Sequence, residues 1–169
     1  MIETPQSPSR VGPPLTAGLR NASEVLQLAV RMEEISKDFY EALADGCGEG
    51  PVATLSRRLA LAEGRHRLVF TGMLDKAFKV GVDVRLTEAQ MFQATALARK
   101  EFLPDPKAVH RVALDGQLKA AVEMAMQMEK GMIHFYEELR PILGSAQATL
   151  DDLVSQEQSH LKALLSLRV

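Results

Sequence analysis

Residues 29–43 read AVRMEEISKDFYEAL, and residues 125–139 read AMQMEKGMIHFYEEL. Each segment has a Met-Glu pair, and a tyrosine within the triplet Phe-Tyr-Glu lies seven residues after that glutamate. Apolar residues recur in both segments at helical intervals, which predicts two long helices that each bury one face. Because the segments lie about half a chain apart, they indicate a duplicated helical hairpin whose halves face each other with pseudo-twofold symmetry.

A glutamate and a histidine three residues apart follow each of these segments. Glu63 precedes His66, and Glu157 precedes His160. Side chains at positions i and i+3 project from the same helix face, so each pair can supply a carboxylate oxygen and an imidazole nitrogen to one metal ion. Together with the glutamates of the repeated segments, these residues form a candidate ligand set on inward, apolar helix faces: Glu33, Glu63, His66, Glu129, Glu157 and His160.

Charge balance indicates that this set binds two metal ions. Ionised carboxylates in a helical core are costly unless a cation neutralises them, and two divalent ions balance four carboxylates. Because Glu33 and Glu129 come from the two helices without a Glu-x-x-His pair, we expect them to bridge both ions. Carboxylate and imidazole ligands without thiolate favour iron or manganese and also accept zinc. The alternative is a plain helical bundle whose glutamates and histidines are solvated or locally paired.

Proline and glycine positions divide the chain into a flexible N-terminal arm at 1–20 and a single domain at 21–169. Within that domain Asn21 is predicted to cap the first long helix, which runs to about residue 44. Pro51 suits the first turn of the second helix, which runs to about residue 79.

A long connection at 81–114 separates the second long helix from the third. We expect one short helix in it, roughly at 87–101, before prolines break the chain. Asp115 is predicted to cap the third long helix, which runs to about residue 140, and a fourth follows Gly144. No strand-like alternation is present, so the order of elements predicts an all-α, antiparallel four-helix bundle with a long crossover between helices 2 and 3.

Composition narrows the classes of function. The 169 residues include 46% hydrophobic and 5% aromatic residues and no Trp, which favours a helical core of Leu, Ala and Met. A formal net charge of −2 gives no support for nucleic-acid binding. No stretch has the length of a membrane span, and no signal peptide is recognisable, so we expect a cytoplasmic protein with no membrane partner. The lone Cys47 excludes an intrachain disulfide and a Cys₄ metal module within this sequence.

Two tyrosines lie on the same faces as the repeated glutamates. Tyr40 and Tyr136 each stand two helical turns beyond a glutamate, and we expect them to hydrogen-bond to metal-bound carboxylates rather than only to fill the core. His110 and His134 have no glutamate three residues before them and are left out of the site. The methionines of the third helix are expected to fill gaps in the core: Met124, Met126, Met128 and Met132.

The Glu-x₆-Tyr elements, each followed by Glu-x-x-His, resemble the rubrerythrin branch of the ferritin-like superfamily. Segments 32–41, 61–66, 128–138 and 156–160 carry this resemblance, which covers roughly residues 22–167. It implies a ferritin-like bundle with two non-haem iron ions per chain, in a family that reduces peroxide, oxidises iron and usually forms homodimers. The family's metal ligands carry over by position onto the six residues of the candidate set.

Two departures from the family pattern bear on function. Rubrerythrins add a Cys₄ rubredoxin domain, so reduction by this chain would need an external electron-donor protein. They also have a further carboxylate one turn after the third-helix glutamate, where this sequence has Met132. The leading hypothesis is an oxidoreductase that acts on O₂ or peroxide and on Fe(II). The alternatives are non-enzymatic iron binding, handling or storage, and a bundle whose metal is structural or whose activity is lost.

Overall fold

The computed structural model describes residues 20–80, 84–99 and 106–167, and these residues are all-α apart from one isolated β-bridge. The arm predicted at 1–20 lies outside the described residues except for Arg20. No described helix is both long enough and apolar enough to cross a membrane. The helices are α1 (Ala22–Cys47), α2 (Pro51–Val80), α3 (Glu88–Arg99), α4 (Pro106–Leu114), α5 (Leu118–Leu139) and α6 (Gln147–Leu165).

The four long helices form two hairpins, α1 with α2 and α5 with α6, which pack face to face. The prediction of an antiparallel four-helix bundle with a long crossover is confirmed. Asn21 caps α1 as expected, because its side-chain oxygen accepts a hydrogen bond from the Glu24 backbone N–H at 2.9 Å. The helix ends at Gly48, whose φ of 67° is a conformation that suits glycine.

The crossover contains two helices rather than the single one predicted. Pro106 is expected from the sequence to break the chain, whereas in the structure it is the first residue of α4, a position where the missing N–H of proline costs nothing. Helix α4 packs on α1, and His110 Nδ1 donates a hydrogen bond to the Ala42 carbonyl oxygen at 3.2 Å. Backbone hydrogen bonds from Ala22 to Val84 and from Leu86 to Arg20 attach the crossover to the start of α1.

The predicted cap of the third long helix is wrong. Asp115 belongs to the end of α4, since its backbone N–H donates to the Arg111 carbonyl oxygen at 3.0 Å. Gly116 then turns the chain with a φ of 73°, and α5 begins after Gln117, which makes no side-chain cap. A short 3₁₀ turn at Gly144–Ala146 precedes α6.

Two apolar clusters fill the bundle on either side of a polar layer at mid-helix. One contains Met32, Phe70 and Leu150, and the other contains Leu43 and Leu164. The α5 methionines contribute as expected, because two are fully buried and two pack partly buried against the core: Met128, Met132, Met124 and Met126. The polar layer between the clusters therefore lies deep inside the protein, where unpaired charge is costly.

The close contact of α1 with α4 predicts the effect of a single methyl group. A Cβ on Gly46 would lie 2.7 Å from the Ala113 Cβ and 3.0 Å from the His110 carbonyl oxygen. We expect Gly46→Ala to lower the free energy of unfolding by about 1–2 kcal/mol, because the cost of overpacking exceeds the helix propensity that alanine gains. Gly72→Ala is the control, since a methyl group at that position would meet nothing within 4 Å. It should raise stability by about 0.5–1 kcal/mol in urea denaturation, and equal effects of the two changes would contradict the contact.

Candidate metal centre

All six candidate ligands lie together at the middle of the bundle. Each of the four long helices supplies at least one of them: α1 carries Glu33 and α5 carries Glu129, while α2 and α6 each carry a Glu-x-x-His pair. Five of the six residues are no more than 1% exposed, and the side chain of His160 is 13% exposed. The inward stripes predicted from helical periodicity therefore converge on one buried cluster.

The cluster divides into two groups of potential ligand atoms that lie within 4.8 Å of one another. Two ligands at about 2.1 Å from one ion are at most about 4.2 Å apart, so a small contraction would suit an ion in each group. Glu63 and Glu157 belong to both groups, whereas Glu33 and Glu129, which the sequence led us to expect as bridges between two ions, each belong to one group. The groups are Glu33, Glu63, His66 and Glu157, and Glu63, Glu129, Glu157 and His160.

Contacts between the hairpins explain why Glu63 and Glu157 belong to both groups. His66 Nδ1 lies 2.9 Å from Glu157 Oε1, and His160 Nδ1 lies 3.2 Å from Glu63 Oε1. Each Glu-x-x-His glutamate thus reaches the histidine of the opposite hairpin as well as its own. The two imidazole rings stack with centroids 5.6 Å apart and planes inclined by 16°. Glu63 and Glu157 each lie within reach of both rings.

The buried polar atoms of the cluster are short of partners in the protein itself. Buried polar groups are normally hydrogen-bonded, so a concentration of unpaired oxygens needs an explanation. A pair of divalent cations would satisfy these atoms and neutralise the carboxylates, so the residues fit a two-metal centre. The atoms that make no hydrogen bond of acceptable geometry with the described residues, despite close polar neighbours, are Glu33 Oε1 and Oε2, Glu63 Oε1 and Oε2, His66 Nδ1, Glu129 Oε2 and Glu157 Oε1.

Burial and crowding change the protonation of two carboxyl groups in the metal-free protein. Burial raises the pKa of Glu33 well above its ordinary value of 4.5, and the charges of Glu63 and Glu157 raise it further. Burial also raises the pKa of Glu129, although nearby His160 acts in the opposite direction. Both groups therefore keep a proton to higher pH than an ordinary carboxyl group does, and metal ions would compete with that proton.

The histidines are held in the charged form by the same carboxylates. Burial alone would lower the pKa of His66, but contacts with Glu157 and Glu63 raise it to about 10. Burial opposes charge on His160 too, and Glu129, Glu157 and Glu63 raise its pKa to about 12. Burial would raise the pKa of Glu157, yet its contacts with both histidines lower it to about 2. In the metal-free protein, protons thus supply the positive charge that the site requires.

The two tyrosines differ in their contacts. The Tyr40 hydroxyl donates a hydrogen bond to Glu129 Oε1, which joins α1 of one hairpin to α5 of the other. The Tyr136 hydroxyl is fully buried and has no partner among the described residues. Burial raises the pKa of Tyr40, and the charge of Glu129 adds to this, so its hydroxyl remains a donor at neutral pH.

One contact of the site is not predicted by the sequence. His66 Nε2 lies 3.1 Å from Gln156 Oε1. Consecutive residues of an α-helix project in different directions, so the sequence gives no reason to place Gln156 in the same site as Glu157. The contact arises because α6 packs against α2. The two other histidines stay outside the cluster, as expected: His110 packs on α1, and His134 is exposed. Within residues 20–80, 84–99 and 106–167, the histidine and acidic side chains form no further group of this kind.

Comparison with known families identifies the fold and the cluster together. The family model for rubrerythrin matches residues 24–168, which include all six candidate ligands. The chain belongs to the rubrerythrin family. Its ferritin-like architecture is thereby confirmed, and the buried cluster of this rubrerythrin-family protein could bind metal as in a di-iron carboxylate protein. Comparisons with curated proteins and with solved structures gave no match.

The protonation of the cluster predicts how stability depends on pH. Glu33, Glu129, His66 and His160 have raised pKa values, so the folded metal-free protein binds more protons than the unfolded chain above about pH 4.5. Stability must then fall as pH rises, by up to about 1.4 kcal/mol per pH unit for each proton. We expect urea denaturation of metal-free protein to show this fall between about pH 5 and about pH 9. The Glu157 pKa lies below this window, so its contribution stays constant. A stability that rose with pH would contradict the protonation scheme.

The tyrosine contacts predict unequal effects of removing a hydroxyl. Tyr40→Phe leaves Glu129 without its donor, so we expect a loss of about 1–3 kcal/mol in the free energy of unfolding at pH 7. Tyr136→Phe removes a buried hydroxyl that has no partner among the described residues, so we expect a change within about 0.5 kcal/mol or a small gain. Denaturant titrations of both metal-free variants test this, and equal losses would refute the assigned difference.

Proposed function

We propose that the six residues bind two iron ions and that the protein is a di-iron oxidoreductase, which oxidises Fe(II) with O₂ or peroxide. The observation that carries this proposal is the pair of buried ligand groups that share Glu63 and Glu157. Each group offers three carboxylates and one imidazole, a donor set that suits iron and manganese. The rubrerythrin match supports the same class of centre.

Burial is what makes the arrangement suited to redox chemistry. When bound, two iron ions would supply two electrons, which reduce one H₂O₂ with two protons to two waters while two Fe(II) become two Fe(III). The protein's own residues exclude bulk water, hold the carboxylates in position and keep Tyr40 as a hydrogen-bond donor to Glu129. His160 is the most exposed member of the cluster, so substrates would approach from its side.

Met132 favours iron oxidation over sustained peroxide reduction. Its side chain is buried one turn after Glu129, where a carboxylate would be needed for the ligand exchange implied by the family resemblance. A thioether carries no charge and is a poor ligand for Fe(III). The 169 residues include one cysteine, so they contain no Cys₄ module, and we propose that electrons for repeated turnover come from an external donor protein. These two features keep iron handling or storage as the second candidate function. By the same family resemblance, we propose a homodimer, and we propose the cytoplasmic location that the sequence led us to expect.

An anaerobic Fe(II) titration tests the proposal directly. We expect the metal-free protein to bind two Fe(II) per chain and to develop Fe(III) absorption after O₂ or H₂O₂ is added. Glu33→Gln removes one candidate ligand. It should weaken Fe(II) binding by more than the roughly 10–100-fold that is typical when a residue hydrogen-bonded to a metal ligand is lost. Glu34→Gln is the matched control, because Glu34 is the exposed neighbour on the same helix. We expect it to bind Fe(II) as the wild type does.

The same titration separates the competing functions. Rapid turnover with an added reductant supports the oxidoreductase, whereas binding and a single slow oxidation support iron handling. Tight Zn(II) binding with no oxidation of Fe(II) would indicate a structural metal. Wild-type binding in a double variant, Glu129→Ala with His160→Ala, would refute the site itself. Glu33→Gln should fold at least as stably as wild type without metal, because burial already penalises its ionised carboxylate.

A further inference from the structure

The contact between Gln156 and His66 determines which imidazole nitrogen carries a hydrogen. The Gln156 carbonyl oxygen lies 3.1 Å from His66 Nε2 and joins α6 to α2 across the bundle. A carbonyl oxygen can only accept, so Nε2 must donate its hydrogen to Gln156. In a neutral imidazole the other nitrogen then has a free lone pair.

That other nitrogen, Nδ1, faces the candidate metal group. It lies 2.9 Å from Glu157 Oε1 and 3.7 Å from one oxygen each of Glu33 and Glu63. Nδ1 also has no hydrogen bond of acceptable geometry among the described residues. The Gln156 contact therefore orients the His66 ring so that Nδ1 faces the three carboxylates. Nδ1 carries a proton in the metal-free protein, and loss of that proton would leave its lone pair directed at a metal ion, as a metal-ligating histidine requires.

Among the described residues, His160 makes no equivalent contact with a glutamine on the opposite hairpin. Ala62 precedes Glu63 as Gln156 precedes Glu157, and a methyl group cannot accept a hydrogen bond. The His160 ring is also the more exposed, at 13% against 2% for the His66 side chain. The two ligand groups are thus related by sequence repetition but differ in how their histidines are held.

We propose that Gln156 is a positioning residue that fixes His66 for metal binding through Nδ1 and makes the group containing His66 the tighter of the two metal sites. This inference rests on the proposed two-metal centre. The hydrogen bond orients the ring from its Nε2 side and increases the basicity of Nδ1. Gln156 acts through His66 and is not itself a ligand.

Zn(II) binding to variants of Gln156 tests the proposal. Gln156→Met keeps the side-chain length and removes the acceptor, and Gln156→Glu keeps an acceptor. Gln158→Met is the matched control, since Gln158 is an exposed glutamine on the same helix. In calorimetric titrations of metal-free protein, we expect two Zn(II) sites of unequal affinity. Gln156→Met should weaken the tighter site by about 10–100-fold and leave the weaker one unchanged. Gln156→Glu and Gln158→Met should retain the tight site.

Imidazole NMR of the zinc-loaded protein provides a readout that a general loss of packing would not produce. Long-range ¹H–¹⁵N spectra should show zinc on His66 Nδ1 and a hydrogen on Nε2. The Nε2 proton should be sharp in wild type and Gln158→Met, and broadened by solvent exchange in Gln156→Met. Zn(II) affinities of Gln156→Met equal to those of wild type would overturn the proposal, as would equal weakening of both sites. Wild-type protein that bound no Zn(II) would instead overturn the two-metal centre on which the proposal rests.

Discussion

Four carboxylates and two imidazoles lie in the apolar interior of the bundle, and the rest of the structure depends on how their charges are balanced. A carboxylate in such surroundings is unfavourable unless a cation or a set of donors compensates it. Apolar clusters on both sides of the polar layer prevent bulk water from doing so. The helices must therefore hold the six side chains close enough to share a few positive charges, whether protons or metal ions.

The metal-free and metal-loaded proteins balance the same negative charge in different ways. Without metal, protons on His66 and His160 supply positive charge, and burial favours protonation of Glu33 and Glu129, so the pKa values of all four groups are raised. Divalent ions would replace those protons, so binding and proton release are coupled.

The sequence repeat relates the ligands of the two hairpins, but the residues that hydrogen-bond to those ligands differ between the hairpins. Glu33 corresponds to Glu129, but only Tyr40, the tyrosine of the first repeat, hydrogen-bonds to a cluster carboxylate, and only His66 has a glutamine acceptor among the described residues. These differences involve hydrogen-bonding groups at the polar layer, so they are compatible with the same four-helix scaffold. They make the two halves of the cluster chemically distinct while the helix geometry remains nearly repeated.

The sequence by itself determined the four long helices, their inward faces and the six clustered residues, because periods of 3.6 residues and i, i+3 spacings are local properties of an α-helix. The tertiary structure decided what depends on contacts between distant segments. It showed that Pro106 begins a helix on α1 and that Asp115 ends that helix instead of capping the next. It also assigned the shared positions to Glu63 and Glu157, because these carboxylates reach the histidine of the opposite hairpin. The partner of His66 is likewise set by packing of α6 against α2, which no local spacing encodes.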